Sequence, residues 1–372
     1  MRITAIETYP MRVPLLPVRQ MVSSLGSHRV SEYLLVRVCT DEGIEGAGEA
    51  TVMPRWSGET VWSARALVER LLAPVLIGCD PRDIADIDER MEAACKHNWF
   101  TKAALEMACW DIAGKAAGEP VYKLLGGPHR DRQIVCRFSV GAYEPARLRE
   151  VVAERLTAGF TTIKVKVGGT GPEDVKRVRL AREVMGPATD LVIDANCGWD
   201  AETAIRKIHE LADCHLTLVE QPTPDGDFAA LARVRRETGL LVMADDICFD
   251  LANAHELIRN ECCDVISIYP GKQGGINRAV AIADVAAAAG IPCSIGSNLE
   301  LDVATAAMGH LVVGHANLHV EQFPGDMLGP EYHEFSVVRE PIEIAGPRVT
   351  VPDRPGLGVE VDWDLVRQHR AD

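Results

Sequence analysis

The stretch TTIKVKVGGTGPEDVKRVRLAREVMGPATDLVIDANCGWDAETAIRKIHELADCHLTLVEQPTP, residues 161–224, decides the fold. It holds three short apolar runs, at 162–167, 191–194 and 216–220, each followed by a polar turn. Between them lie two segments, 172–184 and 201–211, whose apolar residues recur at three- and four-residue steps. Such runs read as strands and such periodic segments as amphipathic helices. Outward from this stretch, runs at 134–140, 241–245, 265–268, 292–295 and 318–321 continue the alternation at roughly 25-residue steps, with another helix at 276–289. Eight alternations predict an α/β fold, a parallel (β/α)8 TIM-type barrel. A doubly wound sheet is the rival topology. It ordinarily brings a glycine-rich phosphate turn after its first strand, and none is present.

Upstream the order changes. Segments 2–9, 33–38 and 44–49 read as strands, the last two parted by the turn Asp41-Glu42-Gly43, and helical periodicity follows at 63–72 and 103–117. Strands followed by helices predict an α+β unit. Downstream, short strands at 343–344 and 348–351 stand around Pro and Gly turns. The predicted organisation is an N-terminal α+β domain over 1–127, the barrel over 128–329, and a C-terminal segment, 330–372, that packs back on the first unit.

The chain has 372 residues, 47% of them hydrophobic and 25% charged, with a formal net charge of −15. That is ample apolar material for a large core, and it excludes a mostly disordered chain. The acidity argues against nucleic acid or an anionic membrane as partner, since both would be repelled. Eleven cysteines are scattered without a CxxC pair, which excludes zinc-knuckle and thioredoxin motifs. No apolar run approaches the ~18 residues of a membrane span, and the first residues lack the apolar core of a signal peptide. The expectation is a soluble protein of the reducing cytoplasm.

Function is read from where the charges fall. Lys166, Asp194, Glu220 and Asp245 end successive strands and Lys272 follows the next, at separations of 28, 26, 25 and 27 residues. One barrel repeat parts each from the next, which predicts all five at one height around the C-terminal mouth, where barrel enzymes do chemistry. Three carboxylates converging there need a cation or must be protonated. A hard divalent ion with oxygen ligands fits, Mg2+ first and Mn2+ as the alternative. The competing reading makes each acid the N-cap of the helix after its strand. Lys166 and Lys272 flank the acids. A lysine beside a metal and a second cation, here Lys164, has its pKa lowered and serves as a base. Otherwise the lysines simply pair with the acids.

Lys164-Val165-Lys166, Asp194-Ala195-Asn196, Val219-Glu220-Gln221-Pro222, Ala244-Asp245-Asp246 and Lys272-Gln273-Gly274-Gly275 together resemble the enolase superfamily, in its muconate lactonizing enzyme subgroup. Gly46-Ala47-Gly48-Glu49, the segment from Ala104 to Asp111, Leu124-Leu125-Gly126-Gly127 and Pro355-Gly356-Leu357-Gly358 resemble that family's capping domain and ending. The resemblance implies an α+β cap over a modified (β/α)8 barrel. It implies a carboxylate substrate bound on Mg2+, abstraction of its α-proton, and an enediolate stabilised by the metal. Asp194, Glu220 and Asp245 then match the metal ligands, with Asp246 behind them, and Lys166 and Lys272 match the acid/base pair. Lys164 matches the lysine that meets the substrate carboxylate, beside Asn196. Family members commonly form homo-oligomers, dimers or octamers.

Some positions depart from the family's pattern. Asp246-Ile247 replaces a common Glu-Ser, and Asn298 replaces a common Met, while Glu300 keeps the usual acid. The eighth strand ends Val320-Glu321-Gln322 without the Asp-x-Asp of dipeptide epimerases, and no His–Asp dyad of the mandelate racemase subgroup is present. Candidate substrate contacts are Asn298, Glu300, Glu321 and Tyr269 at the mouth. From the cap loops at 21–30 and 53–59 come Ser24, His28, Arg29 and Trp56. The expected activity is isomerisation of a small carboxylate, by a cycloisomerase or by a racemase or epimerase of an amino- or imino-acid derivative. Dehydration of a hydroxy acid is the alternative. A Schiff-base lysine aldolase and a non-catalytic binding barrel are the readings from other classes.

Overall fold

The structure is a computed structural model that describes residues 1–23 and 26–371. Ile3–Pro14 pairs antiparallel with Val30–Thr40, which pairs in turn with Glu45–Val52. This sheet lies on the helix Trp99–Ala117, and the glycines of the last strand set how closely. A Cβ on Gly46 would stand 2.0 Å from the Ala108 carbonyl oxygen, and one on Gly48 1.7 Å from that of Ala104. At that distance Asp111 accepts the Ala47 N–H at 3.0 Å and the Leu357 N–H at 2.9 Å, fastening the tail to the cap. A hairpin of Met21–Ser23 and Gly26–His28 projects from the first unit. Ser24 lies outside the described residues.

Seven strands form one parallel sheet in chain order: Phe138–Val140, Thr162–Lys166, Asp190–Asp194, Leu218–Glu220, Leu241–Ala244, Val265–Ile268 and Cys293–Ile295. Parallel neighbours in chain order are what repeated right-handed crossovers produce. The α/β barrel class is present, with two differences at its seam. The run 134–140 serves two sheets: Gln133–Val135 pairs with the C-terminal strand Arg348–Thr350, and only Phe138–Val140 enters the barrel. The expected eighth strand is reduced to one bridge, Leu318 to Cys293. The reason lies just downstream, since Pro324 and Gly325 do not continue a central strand. Instead the chain folds under the seam, so close that a Cβ on Gly325 would stand 2.0 Å from the Ile295 carbonyl oxygen.

Helix starts settle the N-cap question. Asp200, Asp227 and Asp250 cap the helices Ala201–Glu210, Phe228–Thr238 and Leu251–Arg259 by accepting backbone N–H groups at their third positions. Asp194, Glu220 and Asp245 are therefore not needed as caps, and their side chains are left for the mouth. No helix among the described residues is long and apolar enough to cross a membrane, and all eleven cysteines are free.

The helix Asp302–Gly314 is buried on every side, and His310 sits at its centre. His310 Nδ1 accepts the Tyr122 N–H at 3.3 Å, which leaves Nε2 to donate to the Leu357 carbonyl at 3.0 Å. Burial lowers its pKa from 6.5 to about 4. The unfolded chain therefore binds a proton near pH 6.5 that the folded chain refuses until about pH 4. His310 stabilises the fold fully above pH 6.5, and by pH 4 that contribution, about 3 kcal/mol, is lost. Denaturant unfolding at pH 7 and pH 4.5 should show His310→Gln narrowing the stability gap between the two pH values. An unchanged gap would remove His310 as its source.

Candidate active site

Sheet register builds the site. Lys166 pairs with Asp194 and Asp194 with Glu220, so these three strand ends form one row. Glu220 pairs with Met243, which sets Asp245 two residues beyond the row, and Lys272 lies past its strand in the one-turn helix Pro270–Gln273. The five charges share the mouth but not one height. Gln221 shapes the step, for its side chain accepts the Asp245 N–H at 3.0 Å and donates to the Thr223 carbonyl at 2.8 Å. Backbone at Asn196, Cys197 and Gln221 takes positive φ of 41°, 65° and 33°, the left-handed conformations that turn the chain off its strands.

Each carboxylate holds a cation. Lys166 Nζ is 2.5 Å from Asp194 Oδ2 and donates to Asn196 Oδ1 at 2.8 Å. Lys164 Nζ lies 2.8 Å from Glu220 Oε1 and 3.1 Å from Asp194 Oδ2. Arg137, just ahead of the first barrel strand, donates to Glu220 Oε2 at 2.5 Å, both side chains being 1% exposed. Lys272 donates to Asp245 Oδ1 at 2.6 Å, to the Asp245 carbonyl at 2.7 Å and to the Ser267 carbonyl at 3.1 Å, while the Tyr269 ring covers it at 4.3 Å. Burial works to raise the Asp194 carboxyl, but Lys166 and Lys164 hold it well below the usual range. Burial and Arg137 work to lower the Lys164 ammonium, and the carboxylates of Glu220 and Asp194 outweigh them.

A cavity of about 100 Å³ opens on this cluster, under the cap. Lys164, Lys166, Asn196, Glu220, Asp245 and Asp246 form its polar floor, with Asn298 and Tyr269 at the side. His28 and Trp56 close it from the cap. Burial lowers the His28 pKa, and its Nε2 is 2.7 Å from Ser31 Oγ. Trp56 stacks on Tyr269 with ring centres 5.5 Å apart. Asp194 and Lys272 lie immediately behind the floor, fully buried.

Three candidate contacts are not brought to the cavity. Glu300 turns its own loop, accepting the Ser297 hydroxyl at 2.6 Å and the Asn298 N–H at 2.9 Å, so its oxygens are spent locally. Glu321 is 65% exposed and pairs with Arg130 at 2.9 Å, because the chain leaves the barrel before reaching the mouth. Arg29 is likewise exposed. Arg137 and the cavity-lining Asp326, Ser139, Met21, Met53 and Leu299 are the residues that sequence reading missed. A basic residue inside the run 134–140 was the one available signal for Arg137.

No three His, Cys, Asp or Glu side chains among the described residues converge closely enough to hold one ion, since ammonium and guanidinium groups stand on the carboxylates. The donor chemistry nonetheless fits a hard divalent cation, being all oxygen on adjacent strands. Asp246 shows the unmet charge. Its Oδ2 is buried without a partner, and burial together with Asp245 and Asp194 pushes its carboxyl up.

Residues 5–126 match the family model for the mandelate racemase/muconate lactonizing enzyme N-terminal domain, and residues 147–365 match the enolase C-terminal domain-like model. The chain belongs to the mandelate racemase/muconate lactonizing enzyme family. Within this branch of the enolase superfamily, N-succinyl-L-Arg/Lys racemase of Bacillus cereus is 31% identical over 369 residues, spanning 99% of this chain and 98% of the relative. Its crystal structure covers 100% of this chain and 99% of its own, with a TM-score of 0.95 at 30% identity. Muconate cycloisomerase 1 of Rhodococcus opacus is 32% identical over 373 residues, spanning 98% of this chain and 97% of the relative. A dipeptide epimerase of Enterococcus faecalis, crystallised with Mg and L-Leu-L-Tyr, gives a TM-score of 0.91 at 31% identity over 97% of this chain and 100% of its own. The chain is an enzyme of the enolase superfamily, and these relatives are isomerases.

Proposed function

We propose that this enolase-superfamily enzyme is a divalent-metal-dependent isomerase that removes the proton α to the carboxylate of a small molecule and returns it. It acts as a racemase or epimerase, or as a cycloisomerase. One observation carries the reading: Lys166 and Lys272 flank three buried acids from neighbouring strands, Lys166 on Asp194 and Lys272 on Asp245, with Glu220 between in strand order. Asp194, Glu220 and Asp245 would hold Mg2+, or Mn2+ in its place, with Asp246 behind them. The ion supplies positive charge against the negative charge that builds on the substrate carboxylate as the proton leaves. Lys164, on the cavity floor, meets that carboxylate. Lys166 takes the α-proton on one face, and Lys272 supplies one on the other. Asn196 holds Lys166 in place, and Trp56, Tyr269 and the cap loop exclude water. The family assignment and the ion-paired state of both lysines argue against a Schiff-base nucleophile.

The test is α-proton exchange in D2O, followed by NMR, over a carboxylate library with and without Mg2+. Deuterium entering only with metal is the expected result, and the product separates racemisation, ring closure and loss of water. Absence of both exchange and metal binding would sink the reading. The same reading takes a reducing cytoplasm, which the free cysteines support, and a dimeric or octameric homo-oligomer, which sedimentation velocity decides.

A further inference from the structure

Two of the barrel helices that lack an N-cap of their own begin against the cap domain. Ile276–Ala288 starts at Gly275 and Asp302–Gly314 at Leu301, and neither has a side chain of its own segment on its first N–H groups. The cap domain supplies both. Glu49 accepts the Leu301 N–H at 2.7 Å and the Ala304 N–H at 3.0 Å. Glu106 accepts the Ile276 N–H at 2.8 Å and the Asn277 N–H at 2.7 Å, and is itself steadied by Trp110 Nε1 at 2.8 Å. A buried carboxylate on a helix N-terminus is a strong, directional bond.

The helix that carries Glu106 also presses on the segment that carries Lys272. A Cβ on Gly271 would stand 3.0 Å from the Phe100 ring, one on Gly274 3.0 Å from Trp99, and one on Gly275 2.5 Å from Glu106 Cδ. Gly274 and Gly275 further need φ of +87° and +139°. Glycines therefore flank Lys272 wherever the cap helix touches. Outside this contact Asp88 accepts from Asn277 Nδ2 at 2.8 Å, and Glu92 pairs with Arg278 at 2.9 Å. At the start of the same cap helix, Glu59 accepts the Phe100 and Thr101 N–H groups at 3.1 and 2.9 Å. Glu59 ends the loop whose Trp56 closes the cavity.

We propose that Glu106 is a positioning residue for Lys272. It clamps the turn after Lys272 to the cap helix, and through Glu59 the same helix ties Lys272 to the loop over the substrate. The inference rests on the reading of Lys272 as one of two acid/base groups. If Glu106 only bolted cap to barrel, its loss would slow both faces of the reaction alike.

The experiment compares the two enantiomers of N-succinylarginine, with Mg2+, by α-deuterium exchange in wild type, Glu106→Gln and Ile112→Ala. Glutamine keeps the shape but turns an N–H group towards one of the two backbone N–H donors. Ile112→Ala weakens the cap core without touching the Lys272 segment. Glu106→Gln is expected to slow exchange of one enantiomer by about 10²-fold, the cost of a misplaced catalytic group, and to leave the other near the wild-type rate. Equal slowing of both, or the same selectivity in Ile112→Ala, would overturn the proposal. If the wild type exchanges neither enantiomer, the functional reading fails for this probe, and amide hydrogen exchange then decides on Glu106 alone. Faster exchange confined to 269–277, with 190–197 unchanged, supports the clamp. Uniform change, or none, refutes it.

Discussion

Lys166→Ala and Lys272→Ala are each expected to lower turnover by about 10²- to 10⁴-fold, the range of a lost general acid or base, and to do so with opposite preference for the hand of the substrate. The geometry behind this is the placing of the two amines. Lys166 lines the cavity from the second barrel strand, on Asp194. Lys272 comes from beyond the sixth strand, on Asp245. In a two-base reaction each amine strips the proton from one enantiomer only. Lys166→Ala should thus abolish α-deuterium exchange of one hand and spare part of the other, and Lys272→Ala should do the reverse. Lys166→Arg makes a sharper control, since it keeps the charge beside Asp194 but removes an amine able to lose its proton. Should either alanine variant turn over at the wild-type rate, the acid/base assignment fails.

Arg137→Leu is expected to cost about 3–5 kcal/mol of stability, the usual penalty for stripping one member from a buried ion pair. Arg137 and Glu220 are both sealed from solvent. Without the guanidinium, Glu220 keeps only Lys164, which it shares with Asp194. Chemical denaturation measures the loss. A ligand that binds only the folded state adds stability by mass action, so saturating Mg2+ should restore part of it. A neutral substitution would show that the pair contributes nothing. A loss that Mg2+ leaves untouched would argue against Glu220 as a ligand.

The middle of the barrel was legible because each strand there is one apolar run closed by a polar turn, and the three helices from Ala201 to Arg259 each carry their own aspartate cap. The seam was not. At 134–140 one largely apolar run, interrupted only by Arg137 and Ser139, passes from one sheet to another. The change occurs in backbone bonds, from the Cys136 N–H to the Pro347 carbonyl and from the Arg137 N–H to the Gly325 carbonyl, whose partners lie far along the chain. The site divides the same way. Lys166, Asp194, Glu220, Asp245 and Lys272 repeat with the barrel period, and periodicity is visible in one dimension. Arg137 owes its place to Glu220, 83 residues away, and Asp326 follows a Pro-Gly turn with no strand to give it a direction. Glu300 and Glu321 were misplaced because an acid near a strand end looks the same whether it faces a substrate, its own loop or an exposed arginine.

The borrowed N-caps bear on recombination. A barrel grafted under a foreign cap inherits all of its charged floor, yet two of its helices begin with bare N–H groups unless the incoming domain offers carboxylates where Glu49 and Glu106 stand. Shuffling the halves of such proteins to mix specificities should therefore succeed only along crossovers that keep those two acids with the glycines they face. Libraries that cut elsewhere will return folded barrels whose second lysine no longer points anywhere useful.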